Sequence, residues 1–275
     1  MTPRVVRTIL PTAAAAALAL SAPGAAQESI ADGYRIPLPP SVEASARGSL
    51  AAPAIAIGVP TGFGADGGDV FLGIGAQSRT RYADKPDGGA VLGIGLGDAR
   101  KLIGLEVAVS QYGTLRSCCR GGVSFKAHRI FPGALGVAVG WENATGWGHV
   151  PGSGDGPFTD AGSAVYGAVS KVFFLSPHGP SAYRNVTATV GVGSGRFRSE
   201  SDVLADNETA NVFGSLGVRL WEPFSVVGSW TGQDLNAGVS VVPLPRVPLA
   251  VTVAAADLTT EPRLVAGLGI GFSPF

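Results

Sequence analysis

Charge, cysteine and long apolar runs are all scarce in this chain. Of its 275 residues only 15% are charged, with 20 Lys and Arg set against 20 Asp and Glu. Soluble domains usually carry about 25% charged residues, so little of this surface is built for water. The even balance excludes a polybasic nucleic-acid binder. No internal run reaches the about 18 apolar residues of a membrane helix, which excludes a helical membrane protein. Cysteine occurs only as the adjacent pair Cys118 and Cys119. Neighbouring cysteines rarely bridge each other, because the small ring opposes disulfide geometry. A disulfide scaffold and a cysteine-rich zinc site are both excluded. The three histidines, His128, His149 and His178, show no metal-ligand spacing. What the chain has in quantity is glycine, 41 residues, and apolar side chains, 45%. That apolar content excludes intrinsic disorder.

The first 26 residues read as a secretion signal. Arg4 and Arg7 form the basic start, Ile9 to Leu20 a short apolar stretch, and Gly24-Ala25-Ala26 the small residues before a cut at Gln27. The apolar stretch is too short for a membrane anchor. No cysteine lies near the cut, so no lipoprotein anchor is expected. Residues 27–67 follow as a periplasmic lead or linker, polar at first and broken by Pro37, Pro39 and Pro40. Ala54 to Val59 could be a short strand, but counting it gives an odd strand number. The stretch is read instead as a periplasmic lead or a partial lumen plug.

From Asp69 onward one unit recurs: about ten residues that alternate apolar with Gly or polar, then a turn. Val70, Leu72, Ile74 and Ala76 share one face, while Gly73, Gly75, Gln77 and Arg79 share the other. Leu264, Ala266, Leu268, Ile270 and Phe272 likewise oppose Val265, Gly267, Gly269 and Gly271. Twelve such segments are expected, near 69–81, 88–98, 101–113, 121–131, 133–143, 160–174, 184–197, 209–221, 223–232, 236–243, 247–257 and 262–273. Connections this short allow only antiparallel neighbours. Sandwich strands run about 5–6 residues, whereas membrane-barrel strands run about 9–11. The lengths favour the barrel. So does the second face, mostly Gly, Ser, Thr and Ala, which suits a small lumen better than bulk water. Numbered from Asp69, the odd connections hold most of the long loops and the even ones are mostly tight, as in outer-membrane barrels. Aromatic residues collect near strand ends, as an interfacial girdle does. Phe131, Phe173, Phe174, Trp221, Phe224 and Phe272 fall at one end; Tyr112, Trp141, Phe197, Phe213 and Trp230 fall at the other.

On these residues the segment 68–275 resembles a bacterial outer-membrane β-barrel protein of porin-like type. That family ends in a strand with an aromatic terminus and alternating apolar residues, the pattern its assembly machinery reads. Counting back from Phe275 fails, but counting back from Phe272 through Ile270, Leu268, Ala266 and Leu264 fits. The resemblance implies outer-membrane lipid and the barrel-assembly machinery as partners.

No catalytic, cofactor or metal site is expected. Gly62-Phe63-Gly64-Ala65-Asp66-Gly67 matches G-x-G-x-x-G, yet a strand follows where a phosphate-binding helix is needed. His149 lies in a loop with Ser153, Asp155 and Asp160. That set suggests a lipid hydrolase or a calcium loop only weakly, since Ca²⁺ wants about 6–8 oxygen ligands. The informative charges are Arg79, Glu106, Lys126, His128, Glu142 and Arg219, which alternate out of phase with apolar neighbours. A charge facing lipid costs about 2–4 kcal/mol at mid-membrane, so these residues are expected to line a lumen. Lys171 and Asp257 fall in phase, near strand ends where an interface solvates them. A barrel of about 8 strands is filled by side chains and one of about 16–18 leaves a channel. Twelve lies between, and inward glycines widen it. The expectation is therefore an all-β, antiparallel transmembrane barrel of about 12 strands, acting as a passive pore for small polar solutes and not as an enzyme. The alternatives are a structural, assembly or export-accessory barrel, a lipid-acting barrel enzyme, and a secreted β-sandwich.

Overall fold

The computed structural model describes residues 52–80, 86–113, 120–148, 162–175, 184–244 and 247–272. The signal 1–26, the stretch 27–51, Cys118, Cys119, His149, Ser153, Asp155, Asp160 and His178 lie outside the described residues.

Twelve antiparallel strands close into one barrel. They are β1 (Val70–Gln77), β2 (Asp87–Gly97), β3 (Gly104–Tyr112), β4 (Arg120–Phe131), β5 (Leu135–Trp147), β6 (Ala164–Phe174), β7 (Asn185–Gly193), β8 (Asn211–Trp221), β9 (Phe224–Trp230), β10 (Leu235–Val241), β11 (Leu249–Ala256) and β12 (Arg263–Phe272). Each strand pairs with its sequence neighbours, and β1 pairs with β12 from Val70↔Phe272 to Gln77↔Val265. Every backbone edge is thereby used, the condition for a sheet that meets no water. The twelve segments read from the alternation all appear, because a period of two admits no other regular element.

The alternation sorts the faces as its parity requires. Leu72, Ile74, Leu92, Leu96, Val139, Val169, Val190, Leu216, Val253 and Leu264 are exposed on the outside. Gln77, Glu106, Lys126, Ser170, Thr189, Ser225, Ser229, Ser240 and Thr252 are buried inside. The mouth that holds the β2–β3, β4–β5 and β8–β9 connections is called here the short-turn mouth, and the opposite one the long-loop mouth. The β2–β3 turn is knotted by Asp98, whose carboxylate accepts the Arg100 and Lys101 amides at 2.9 and 3.1 Å. Helix is almost absent among the described residues: a 3-10 turn (Gly195–Phe197) and α1 (Glu200–Leu204) sit in the β7–β8 connection. Ser199 caps α1, its hydroxyl accepting the Asp202 amide at 3.2 Å.

The girdle expectation holds for only part of its residues. Trp141, Trp230, Phe131, Phe173 and Trp221 are exposed on the outer face, but Tyr112, Phe197 and Phe213 are buried within the barrel. Parity explains the correction, since Tyr112 and Phe213 occupy the lumen phase of their strands. Inside, a ring needs room, and a cross-strand glycine supplies it. Phe71 faces Gly93, Tyr166 faces Gly140, and Phe213 faces Gly191. A β-carbon on any of these glycines would collide with the ring.

Candidate functional site

The lumen is occupied by the chain's own N-terminal segment. Residues 52–66 have no regular secondary structure, and every one of them is buried. A buried backbone must find partners for its N–H and C=O groups. Without a strand ladder, the side chains of the wall provide them. The Ser225 hydroxyl donates to the Ala54 carbonyl at 2.5 Å. The Ile57 amide donates to Ser229 Oγ at 3.0 Å, and the Gly62 amide to Ser170 Oγ at 2.8 Å. The Ala65 amide donates to Glu106 Oε2 at 3.0 Å. Three serines and a glutamate of the inner face thus substitute for a neighbouring strand's ladder.

These partners trace the path. Ala54 and Ile57 rise beside β9 from Ser225 to Ser229, in step with an extended chain. Gly58, with φ +75°, and Pro60 form the apex near the long-loop mouth. Residues 62–66 descend past Ser170 and Glu106, and the Gly67 amide reaches the Gly97 carbonyl at 2.7 Å at the short-turn mouth. The plug is a loop whose two limbs, 52–57 and 62–67, both point to the short-turn mouth. Of the stretch 27–67, read as a periplasmic lead or a partial lumen plug, residues 52–66 stand in the lumen and 27–51 lie outside the described residues. The G-x-G-x-x-G run is its descending limb.

The inward glycines are filled rather than empty: Gly93, Gly140 and Gly191 take wall rings, and Gly136 and Gly217 seat the plug. A β-carbon on Gly217 would lie 2.6 Å from the Ile55 carbonyl oxygen. One on Gly136 would lie 2.6 Å from the Gly62 oxygen and 2.5 Å from the Phe63 ring. Phe63 then packs among Ile55, Ala99, Ile130, Ala134 and Val172 at the short-turn side. At the apex, Ala56 and Val59 pack with Tyr166, Phe197 and Phe213.

The six charges singled out from the sequence sit as follows. Glu106, Lys126, His128 and Arg219 are buried on the inner face. Glu106 and Lys126 are cross-strand partners. His128 Nε2 lies 3.2 Å from Asp66 Oδ1 on the plug, and the same oxygen accepts the Ala99 amide at 2.9 Å. Arg219 Nε donates to the Glu222 carbonyl of the β8–β9 turn at 2.9 Å. Glu142 is half-buried near the long-loop mouth and pairs with Arg196. Arg79 stands at the same mouth, 3.2 Å from Glu261. The structure therefore gathers Glu106, Lys126 and His128 on β3 and β4, and leaves Arg79, Glu142 and Arg219 apart from them.

Several partners were missed. Arg263 is fully buried between Asp234 at 2.5 Å and Asp257 at 3.3 Å. Its signal was present, since Arg263 stands in phase with Val265 and Gly267 on the lumen face. Asp257 was assigned to the outer face by counting. Its backbone has φ +58°, which ends the alternation and turns the carboxylate inward. Lys171 does face outward, and its ammonium reaches the Gly133 carbonyl in the β4–β5 turn. Asp66 carried no signal, because it precedes the first period-two segment, and Arg196 fell at the end of the 184–197 segment, where the strand has already given way to the 3-10 turn.

No family model matches the chain, and no curated protein sequence matches it. Fifteen solved chains match in structure. A KdgM porin in complex with disordered oligogalacturonate is 10% identical, covers 74% of this chain and 99% of its own, and gives a TM-score of 0.44. Ail, the attachment invasion locus protein of Yersinia pestis, in complex with the heparin analogue sucrose octasulfate, is 11% identical, covers 74% and 96%, and gives 0.15. At these scores the barrel assignment rests on the strand pairing of this chain itself.

Proposed function

We propose that this chain is a bacterial outer-membrane barrel that conducts small polar solutes only when residues 52–66 withdraw from the lumen. The observation that carries this reading is the plug, which occupies a polar-walled barrel yet turns back on itself, so that both described limbs run toward one mouth. Withdrawal of a loop so arranged breaks no pairing of the wall. The apolar outer face supports the membrane setting, since a soluble protein rarely exposes so large a patch. The Leu264, Ala266, Leu268, Ile270, Phe272 alternation on β12 supports recognition by the assembly machinery. With the plug gone, Glu106, Lys126 and His128 border the path on one side and Ser170, Ser225 and Ser229 on another. Mixed charge and hydroxyls suit small polar solutes, and charge in such a path sets selectivity.

The test is conductance in planar bilayers. The full chain is expected to be silent, and Gly217→Val, which crowds Ile55 off its seat, to conduct. Reversal at Glu106 or Lys126 in that open background is expected to change ion selectivity. Silence in both proteins would sink the conduit reading. It would favour the second reading, a structural barrel without conduction. The tightness of the plug supports that alternative, since Ala54, Ala56, Phe63 and Ala65 have no exposed surface.

A further inference from the structure

We infer that the plug and the β7–β8 connection form one gate, fastened by Arg196, so that drawing the connection off the long-loop mouth releases the plug. The inference rests on the gated-conduit reading and names the control of that gate.

One guanidinium joins three parts of the closure. Arg196 Nε and Nη2 donate to the two Glu142 carboxylate oxygens at 2.6 and 2.8 Å, a fork onto the wall strand β5. Nη1 donates to the Gly58 carbonyl at 2.7 Å, at the apex of the plug. The Arg196 carbonyl accepts the Gln233 side-chain amide at 3.1 Å, tying in the β9–β10 turn. A planar guanidinium holds its donors in fixed directions, so it cannot keep one partner while its backbone departs.

The neighbouring residue doubles the tie with apolar contact. Phe197 stacks on Phe213 at 4.4 Å between ring centroids and meets Tyr166 edge-on at 5.9 Å. The same cluster holds Ala56 and Val59 of the plug. Lifting residues 195–197 therefore strips the apex of its charged hydrogen bond and its aromatic cover together. A buried carbonyl that loses its donor is destabilised, and the apex has no strand ladder to fall back on. The fastening is also reachable. The Arg196 and Glu142 side chains are 15% and 22% exposed, against 0% and 2% for Arg263 and Asp234. The first pair meets water at the mouth; the second is sealed in the wall.

The experiment is amide hydrogen exchange on the folded, detergent-solubilised full chain, read separately for residues 52–66, 195–205 and the strands. In Glu142→Gln, Arg196→Gln and Phe197→Ala, exchange in the plug and in the connection is expected to rise together, by about tenfold or more, while the strands keep their protection. The double swap Glu142→Arg with Arg196→Glu is expected to restore part of the protection. A connection that loosens while the plug stays protected overturns the inference. So does a plug that loosens only when the whole barrel opens, read by gel mobility of unboiled against boiled protein, where a closed barrel is expected to shift on heating. Arg196→Gln that does not assemble leaves the milder Glu142→Gln and Phe197→Ala to decide. Gly217→Val separates this inference from the reading beneath it, because it unseats the plug without touching Arg196. If that protein is silent in bilayers, conduction fails, and the exchange data still judge the fastening.

Discussion

The Ser229 hydroxyl on β9 accepts a hydrogen bond from the Ile57 amide at 3.0 Å, joining the wall to a residue 172 positions earlier. Ser225 makes the companion bond to the Ala54 carbonyl. Proximity this specific is testable by cross-linking. In a chain whose Cys118 and Cys119 are replaced by Ser, the pair Ala54→Cys with Ser225→Cys is expected to link through a short bifunctional maleimide. Gel mobility under denaturing conditions checks it: a linked chain forms a loop and migrates differently. The control pair Ala54→Cys with Leu92→Cys is expected to stay unlinked, since Leu92 faces outward.

The glycine seats predict a contrast between neighbouring substitutions. Gly217→Ala places a methyl against the Ile55 backbone, whereas Gly228→Ala meets nothing within 4 Å. Overpacking of this kind costs about 1–3 kcal/mol. Limited proteolysis is expected to find the plug cut faster in Gly217→Ala and unchanged in Gly228→Ala.

Arg263 is the most demanding charge in the wall. Its removal as Arg263→Met leaves Asp234 and Asp257 buried without their cation. Breaking a buried pair on one side costs about 3–5 kcal/mol. The heat-dependent gel shift is expected to move to clearly lower temperature. Adding Asp234→Asn and Asp257→Asn to Arg263→Met is expected to recover part of the loss, because no charge is then stranded.

Outside the strands, two carboxylates set a pH dependence. Asp98 is held below the usual carboxylate range chiefly by the Lys101 amide, with burial opposing and the Arg100 amide assisting. Asp202 is held down first by the Ser199 hydroxyl, which donates to it at 2.6 Å. A depressed carboxylate stabilises the fold above its unfolded value, about 3.9. That contribution is lost as the pH falls through the lower folded value. Carboxyl-carbon NMR titration is expected to place both groups below an ordinary aspartate. Ser199→Ala is expected to raise Asp202 and leave Asp98 where it is.

The membrane setting predicts a cost on the outer face. Leu92 is 53% exposed at mid-strand. Leu92→Arg is expected to weaken the assembled barrel by about 2–4 kcal/mol, while Phe131→Arg at the rim costs less. Urea titration of the bilayer-embedded protein checks the difference.

The wall was legible in the sequence and its contents were not. A period of two is a local signal, so β1 through β12 could be read from consecutive residues, and with them the inward placement of Glu106, Lys126, His128 and Arg219. Ala54 to Asp66 carry no period, because their partners are spread over strands from β2 to β9. Nothing near Ser170 in sequence says that its hydroxyl serves Gly62. Glycine was ambiguous in the same way. On an inner face it reads as empty space, whereas Gly136 and Gly217 are cut to the thickness of another backbone. The aromatic residues misled for a related reason: a ring near a strand end fits an interfacial girdle, and only its phase distinguishes Trp141 outside from Phe213 inside.

The plug precedes β1 through β12 in the chain, yet its hydrogen-bond partners on the strands run from Glu106 on β3 to Ser229 on β9. The ring closes only when β12, the last strand, meets β1, the first. In the closed barrel residues 52–66 stand inside the wall as a mandrel stands inside a coil. Strands β2, β3, β5, β6, β8 and β9 each meet it with a hydroxyl, a carboxylate or a bare glycine. A strand that slips by one residue turns that group to the lipid and leaves an amide of the mandrel bare. The segment is thus placed to gauge both the register and the girth of the barrel, at the price of slow assembly, since almost every such contact spans a long stretch of sequence.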